Sequence, residues 1–123
     1  MKLAIIGSRG LWVDVAPYLP PGVTEILSGG ARGIDRCAEA CARRLGLPLR
    51  VFLPDYEHYG RGATHRRNRQ MAEACDSLLA IWDGQSRGTQ STIQHARRLG
   101  RPVRVVLLSP DSQDGGCAAT HDF

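Results

Sequence analysis

Short runs of apolar, partly β-branched residues divide the chain at regular intervals. They cover the ranges 3–6, 24–27, 49–53, 78–82 and 103–108. Continuous apolar runs of this length are typical of strands buried on both faces, because neither side of such a strand meets water. The pattern therefore predicts five strands of a parallel sheet.

The segments between these runs have the spacing of amphipathic helices. In the clearest segment, the residues of the apolar face are Ile34, Ala38, Cys41 and Leu45. The residues expected to point to solvent are Arg36, Glu39, Arg43 and Arg44. Further helices are predicted over 64–75 and 89–99, while prolines limit the segment 11–19 to a short helix at most.

Strand and helix thus alternate, which predicts a single small α/β domain. We expect a Rossmann-like open parallel sheet of about five strands with helices on both faces, formed by residues 1–108. Residues 109–123 contain Gly, Asp and Ser without periodicity, so we expect a flexible C-terminal tail. A chain of 123 residues is long enough for one such domain and too short for two.

Composition narrows the range of functions. The chain has 16 Lys and Arg residues against 12 Asp and Glu, and this net charge of +4 is only weak support for a nucleic-acid coat. Lys2 is the only lysine, which fits either a GC-rich genome or a need for the planar guanidinium that grips phosphate. No apolar run approaches the roughly 20 residues that span a bilayer, and the N-terminus lacks a signal-peptide pattern. We therefore expect a cytoplasmic protein with no membrane partner.

Cysteine and histidine positions do not have the spacing of metal ligands. Cys37 and Cys41 lie on one predicted helix face, the other two cysteines stand alone, and the four histidines are scattered. The chain also lacks a Gly-x-Gly-x-x-Gly fingerprint and a P-loop Gly-Lys-Ser/Thr. The sequence therefore predicts no metal and no cofactor, and it disfavours a dinucleotide dehydrogenase or a P-loop NTPase.

The loops after the strands are the best candidates for function. Each of the first four predicted strands is followed by a loop with an Arg-Gly pair, at 9–10, 32–33, 61–62 and 87–88. In a parallel sheet these loops meet at the carboxyl edge, where open α/β folds bind ligands. Glycine lets backbone N–H groups approach a ligand, and the helix N-terminus that follows favours an anion. A tight turn explains one such loop alone, but several together predict a phosphate cradle.

Four side chains extend this predicted cradle. Arg67, in the basic segment 64–71, is predicted to clamp the anion, and Asn68 to hydrogen-bond a sugar or base; a solvated basic face is the alternative. Asp35 and Asp83 lie in or just after two of the loops, where carboxylates orient a sugar hydroxyl or loop amides. Aromatic residues that are candidates for stacking on a base are Trp12, Tyr56, Tyr59 and Trp82.

The complete set of predicted ligand-binding residues spans three loops and one helix. It consists of Gly7, Ser8, Arg9, Ser28, Gly29, Gly30, Arg32, Gly33, Asp35, Arg67, Asn68, Asp83, Ser86, Gly88 and Thr89. No catalytic residue is assigned within this set, because no paired acid and base stands out from the spacing.

Taken in order, these motifs resemble the SLOG superfamily. The residues that carry the resemblance are Gly7-Ser8-Arg9, Ser28-Gly29-Gly30-Ala31-Arg32-Gly33-Ile34-Asp35, Arg67-Asn68 through Met71 and Asp76, Trp82-Asp83-Gly84 and Ser86-Arg87-Gly88-Thr89. The resemblance covers roughly residues 1–107 and is greatest to the small YspA/YpsA-related branch, beside the DNA-processing protein DprA (Smf) and the lonely-guy phosphoribohydrolases. It implies a domain that binds a nucleotide or nucleotide-derived ligand, as a sensor or binding module, and a possible homodimer.

Two relatives within this superfamily imply alternative functions. The lonely-guy enzymes cleave the N-glycosidic bond of nucleoside 5′-monophosphates, and the residues that match their motifs are Arg67, Met71, Gly88 and Thr89. The position of their catalytic glutamate, however, is Thr92, so hydrolysis needs a carboxylate from elsewhere, such as Asp35, Glu73 or Asp83. DprA-like proteins imply binding of single-stranded DNA, which the lack of an interleaved aromatic and basic stripe disfavours.

Overall fold

Six strands form one sheet in the computed structural model, which describes residues 1–109 and the backbone of 119–121. The strands are β1 (Lys2–Gly7), β2 (Glu25–Ser28), β3 (Leu49–Val51), β4 (Ser77–Trp82), β5 (Val103–Leu107) and β6 (Ala119–His121). Their order in the sheet is β3-β2-β1-β4-β5-β6. The first five strands are parallel, which confirms the predicted α/β class and Rossmann-like open sheet.

The helices follow the strands in alternation. They are α1 (Ile34–Leu45), α2 (Tyr56–Tyr59), α3 (Ala63–Ala74) and α4 (Arg87–Arg98), with short 3-10 turns at Ala16–Tyr18 and Gly60–Gly62. Three of these helices were predicted within one or two residues. The single-turn helix α2 was not, because it buries no residue and so has no apolar periodicity.

Helices cover both faces of the sheet, as predicted. In β1, Leu3 and Ile5 pack with α1 residues on one face, while Ala4 and Ile6 pack with α3 and α4 residues on the other. This strand is buried on both sides, which explains its unbroken apolar sequence. No helix in the described part of the chain is long and apolar enough to cross a membrane.

Helix α1 differs from its predicted pattern at two positions. Glu39 was expected to face solvent but is buried, because its carboxylate accepts a hydrogen bond from the Ser28 hydroxyl at the end of β2 (2.8 Å). Leu45 was expected on the apolar face but is 50% exposed, because α1 ends there, at the left-handed cap residue Gly46.

The C-terminal segment contributes a strand that the sequence pattern did not predict. Residues 119–121 form β6, which pairs antiparallel with β5 at the edge of the sheet. The rest of the predicted flexible tail, residues 110–118 and 122–123, lies outside the described residues.

The strand order places a switch point between β1 and β4. The chain moves from β1 outward to β2 and β3, and then returns to the other side of β1 to form β4 and β5. Loops at such a point diverge to opposite faces of the sheet and leave a crevice at its carboxyl edge, where ligands bind in open α/β folds.

Candidate functional site

A cavity of about 70 Å³ opens at this switch point. Nine of the residues lining it belong to the predicted set: Gly7, Arg9, Gly29, Asp35, Arg67, Asn68, Ser86, Gly88 and Thr89. Five more residues, which were not predicted as ligand-binding, are Ile6, Ala31, Thr64, Met71 and Thr92. The volume is several times the roughly 10–15 Å³ that one water molecule needs. It is large enough for an anionic group such as phosphate.

The N-terminus of α4 forms one end of the cavity. Ser86 precedes the helix, its hydroxyl lies 3.2 Å from that of Thr89, and its carbonyl accepts the helix bond from Gln90 N–H (3.2 Å). Because the helix bonds begin at Gln90, the N–H groups of residues 87–89 have no partner within the helix. These groups, together with the positive end of the helix dipole, favour an anion.

Gly88 leaves the backbone at this helix end open to approach. A Cβ atom at this position would meet only Asn68 Nδ2, at 3.9 Å. The space at Gly88 is thus large enough for a ligand to approach the backbone, as the predicted role of this glycine requires. Its φ angle is not in the left-handed region, so the helix itself does not require glycine here.

The loop before α4 is held by Asp83 and Ser8. The Asp83 carboxylate accepts hydrogen bonds from the N–H groups of Gln85 (2.8 Å) and Ser86 (3.0 Å), and Asp83 N–H donates to the Ser8 hydroxyl (3.0 Å). Partial burial works to raise the pKa of Asp83, but these hydrogen bonds outweigh it and lower the pKa. Asp83 and Ser8 therefore position loops and do not line the cavity.

Arg67 joins three parts of the site. It is buried, and its Nη1 donates to the carbonyl of Gly29, and to that of Phe52 at 3.4 Å, while its Nε donates to Asn68 Oδ1 at 2.7 Å. Burial lowers the pKa of Arg67, and the nearby Asp35 carboxylate partly offsets this. Its Nη2 has no hydrogen-bond partner among the described residues, so one donor group is left for a ligand.

Asn68 is 7% exposed and has an unused donor at the cavity. Its Oδ1 accepts the bond from Arg67 Nε, which assigns the other amide atom as the nitrogen. Within residues 1–109 this nitrogen has no hydrogen-bond partner, and it faces Gly88 at the start of α4. The nitrogen is open to the cavity, so an acceptor atom that enters the cavity can take a hydrogen bond from it.

Asp35 lies at the opposite end of the cavity, in the first turn of α1. One carboxylate oxygen accepts a hydrogen bond from Ala31 N–H at 3.1 Å. Burial raises the pKa of Asp35 to about 6, and Glu39 adds to this, whereas the Ala31 bond, Arg67 and Arg9 act in the opposite direction. The protein's own carboxylate thus already binds a backbone N–H of the loop before α1.

Two predicted glycines hold the loops together at close range. A Cβ at Gly29 would lie 2.8 Å from Asp35 Oδ2 and 2.9 Å from Arg67 Nη1, so this position separates the two charges. Gly33 has φ of 74°, and its Cα lies against the carbonyl groups of Ser8 and Arg9. Gly29 and Gly33 therefore lack a side chain because the loops pack closely at these positions. They do not serve to admit a ligand to the backbone.

The remaining predicted residues support the site or lie outside it. Ser28 is buried behind the cavity, where it accepts a hydrogen bond from Gly30 N–H (3.2 Å) besides donating to Glu39. Arg32 is exposed and does not line the cavity, whereas Arg9 is exposed at its rim.

Two threonines in the cavity wall were missed by sequence reasoning as binding residues. Thr92 donates to the Gly88 carbonyl (2.9 Å) one turn along α4, and Thr64 lies 3.3 Å from the Tyr56 hydroxyl. The spacing of four residues from Gly88 to Thr92 could have indicated that Thr92 lies on the same helix face as Gly88. In the part of the chain that the structure describes, no three His, Cys, Asp or Glu residues form a metal-ligand cluster.

Comparisons with known proteins leave the chain without a family assignment. No protein-family model matches the chain, and no curated protein matches it. The resemblance to the SLOG superfamily therefore rests on the motif residues, and a function has to be argued from the geometry of the cavity.

Proposed function

We propose that the chain binds a nucleotide or nucleotide-derived ligand, with a phosphate group at the N-terminus of α4. The observation that carries the proposal is the amide nitrogen of Asn68, which is open to the cavity and faces the backbone at Gly88 without a hydrogen-bond partner among the described residues. A phosphate oxygen accepts hydrogen bonds from both this amide and the first N–H groups of the helix.

Further groups that line the cavity fit an anion. The hydroxyls of Ser86 and Thr89 line the wall, and Arg9 lies at the rim with its guanidinium exposed. Arg67 adds the Nη2 group that the protein itself does not use. A phosphate held here therefore meets donors from three separate elements.

The opposite end favours the sugar of a nucleotide. Asp35 has one carboxylate oxygen that accepts no hydrogen bond from the described residues, and a ribose hydroxyl donates to such an oxygen. A second phosphate at this end would be repelled by the same carboxylate. A ligand with one anionic end and one hydroxyl-rich end satisfies both halves of the cavity.

Asp35 also supports hydrolysis of an N-glycosidic bond as a second candidate function. Its pKa of about 6 allows it to exchange a proton near neutral pH, which a general acid or base needs. Thr92, at the position of the lonely-guy glutamate, donates to the Gly88 carbonyl and offers no carboxylate. Any such reaction would therefore depend on Asp35, in the wall opposite α4.

A thermal-shift panel with product analysis tests both functions. The panel contains AMP, other nucleoside monophosphates, ADP-ribose, NAD and cyclic nucleotides, and each sample is afterwards separated by chromatography. A ligand at about 100 times its Kd adds about 2.7 kcal/mol to the free energy of unfolding, which raises Tm by several degrees for a domain of this size. Stabilisation with intact ligand supports binding, and release of free base supports hydrolysis. If no member of the panel raises Tm, the proposal is wrong.

A further inference from the structure

A second cavity also has Arg67 in its wall. It has a volume of about 180 Å³, and its walls include Leu53, Tyr59, Arg66 and Gln70 besides Arg67 itself. Arg67 is therefore a residue that the walls of both cavities share. A ligand that reaches past Arg67 would occupy them together.

Three large apolar or aromatic side chains are exposed beside this second cavity, whose own walls are mostly polar and include Asp55. Leu53 is 70% exposed and Tyr59 is 45% exposed, and Tyr56, at the other end of helix α2, is 58% exposed. Single exposed apolar side chains are common, but a group of them beside a cavity indicates a binding surface. These residues follow β3, on the same sheet edge as the phosphate-binding end of the first cavity.

Arg66 lies over the ring of Tyr59 in the wall of this cavity. The guanidinium carbon of Arg66 lies 4.3 Å from the centre of the Tyr59 ring. Arg66 and Arg67 are neighbours on α3, and successive helix residues point about 100° apart, so one side chain points inward and the other outward. Tyrosine rings and arginine guanidinium planes are the groups on which nucleobases stack.

We infer that the second cavity binds the nucleobase of the ligand, stacked on the Tyr59 and Arg66 pair. This inference rests on the proposed function, because it takes the phosphate to lie at α4. The amide of Gln70, which has both a donor and an acceptor, is placed to meet the polar edge of the base. Tyr59 and Arg66 are then the residues that make the site prefer a nucleotide over a simple sugar phosphate.

The inference is tested by comparing nucleoside monophosphates with ribose 5-phosphate, using titration calorimetry on the full chain. The wild type is expected to bind at least one of AMP, GMP, CMP and UMP more tightly than ribose 5-phosphate. Tyr59→Ala is expected to weaken that nucleotide by roughly 5- to 100-fold, the range for one lost base stack, with no change for ribose 5-phosphate. Tyr59→Phe keeps the ring and is expected to bind as the wild type does.

Tyr18→Ala is the matched control, since Tyr18 pairs with Arg104 near the start of β5, away from both cavities. It is expected to leave nucleotide affinity unchanged, and circular dichroism checks the fold of each variant. Equal affinity of the wild type for nucleotides and ribose 5-phosphate, or equal weakening of both by Tyr59→Ala, would overturn the base subsite alone. Failure of the wild type to bind any of these phosphates would overturn the proposed function as well.

Discussion

Arg67 donates a hydrogen bond from Nη1 to the backbone carbonyl of Gly29, so the cation at the centre of the site is anchored to the loop after β2. The same nitrogen lies 3.4 Å from the Phe52 carbonyl, after β3. Arg67 thus joins two loops to α3 before any ligand is present. Its role in binding is inseparable from its role in holding the site together.

Replacement of Arg67 is therefore expected to affect stability as well as binding. Arg67→Ala leaves the Gly29 carbonyl without its donor and Asp35 without its nearest cation, and we expect a loss of about 1–3 kcal/mol in the free energy of unfolding at neutral pH. Urea unfolding measures this loss. Arg66→Ala, which changes the exposed neighbouring arginine, is the control, and a stability of Arg67→Ala equal to that of the control would contradict the anchoring role.

Asn68→Asp is expected to weaken phosphate binding while preserving the fold. The substitution keeps the oxygen that accepts from Arg67 Nε but replaces the free amide donor by a charge that repels phosphate. We expect affinity for AMP to fall by more than tenfold, measured by calorimetry. Gln90→Glu, on the exposed side of α4, introduces the same charge as a control and is expected to have a smaller effect. Equal effects of the two variants would show that only the total charge matters.

Gly88→Ala is expected to change stability and affinity in opposite directions. Alanine favours a helix over glycine by about 0.5–1 kcal/mol, and the space around Gly88 accommodates the methyl group, so the free energy of unfolding is expected to rise. The same methyl group lies in the cavity and keeps phosphate away from the backbone, so affinity is expected to fall. Tm and AMP affinity are measured together, and an unchanged affinity would remove Gly88 from the binding site.

Asp35→Asn is expected to alter how stability depends on pH. The folded pKa of Asp35 is about 6, whereas an unfolded aspartate titrates near about 4. Between these values the folded chain retains a proton that the unfolded chain has lost, so this group makes the free energy of unfolding fall as pH rises. The difference corresponds to about 3 kcal/mol, so Asp35→Asn is expected to exceed the wild type by up to that amount at about pH 7.5 and to match it near pH 4.

Asp14→Asn is expected to have the opposite effect on stability at neutral pH. A hydrogen bond from Arg44 lowers the pKa of this exposed carboxylate, so its ionised form stabilises the folded chain and the variant is expected to lose stability at neutral pH. Urea unfolding at several pH values measures both variants. If Asp35→Asn is no more stable than the wild type at neutral pH, burial does not set the pKa of Asp35.

The strands and main helices could be predicted from sequence because each has a complete local signal. β1 is apolar at every position between Leu3 and Ile6, and the spacing in α1 identifies its buried face. Glu39 broke that pattern because its burial depends on Ser28, a residue brought close by the fold. Periodicity carries no information about such a partner.

The position of the site could be predicted from the sequence, but the role of each residue within it could not. The glycines and polar residues of the βα loops indicated the carboxyl edge, and most of them do lie at the cavity. That Ser8 and Asp83 bind loops, while Asn68 faces the cavity, depends on distances between elements far apart in the chain. Tyr59 was predicted as a candidate for stacking on a base, but its pairing with Arg66 was not, because that pairing depends on how α2 and α3 lie against each other.

Asp35 makes the cavity electrically asymmetric. One end carries the positive pole of α4, and the other carries a carboxylate that is largely ionised above about pH 6. A molecule with a single terminal charge can therefore enter in one orientation only, with that charge toward α4. Pyrophosphate, which is charged at both ends, would bring one end toward the Asp35 carboxylate, where only the neighbouring Arg67 and Arg9 oppose the repulsion, so the site selects by the distribution of charge along a ligand as well as by its amount.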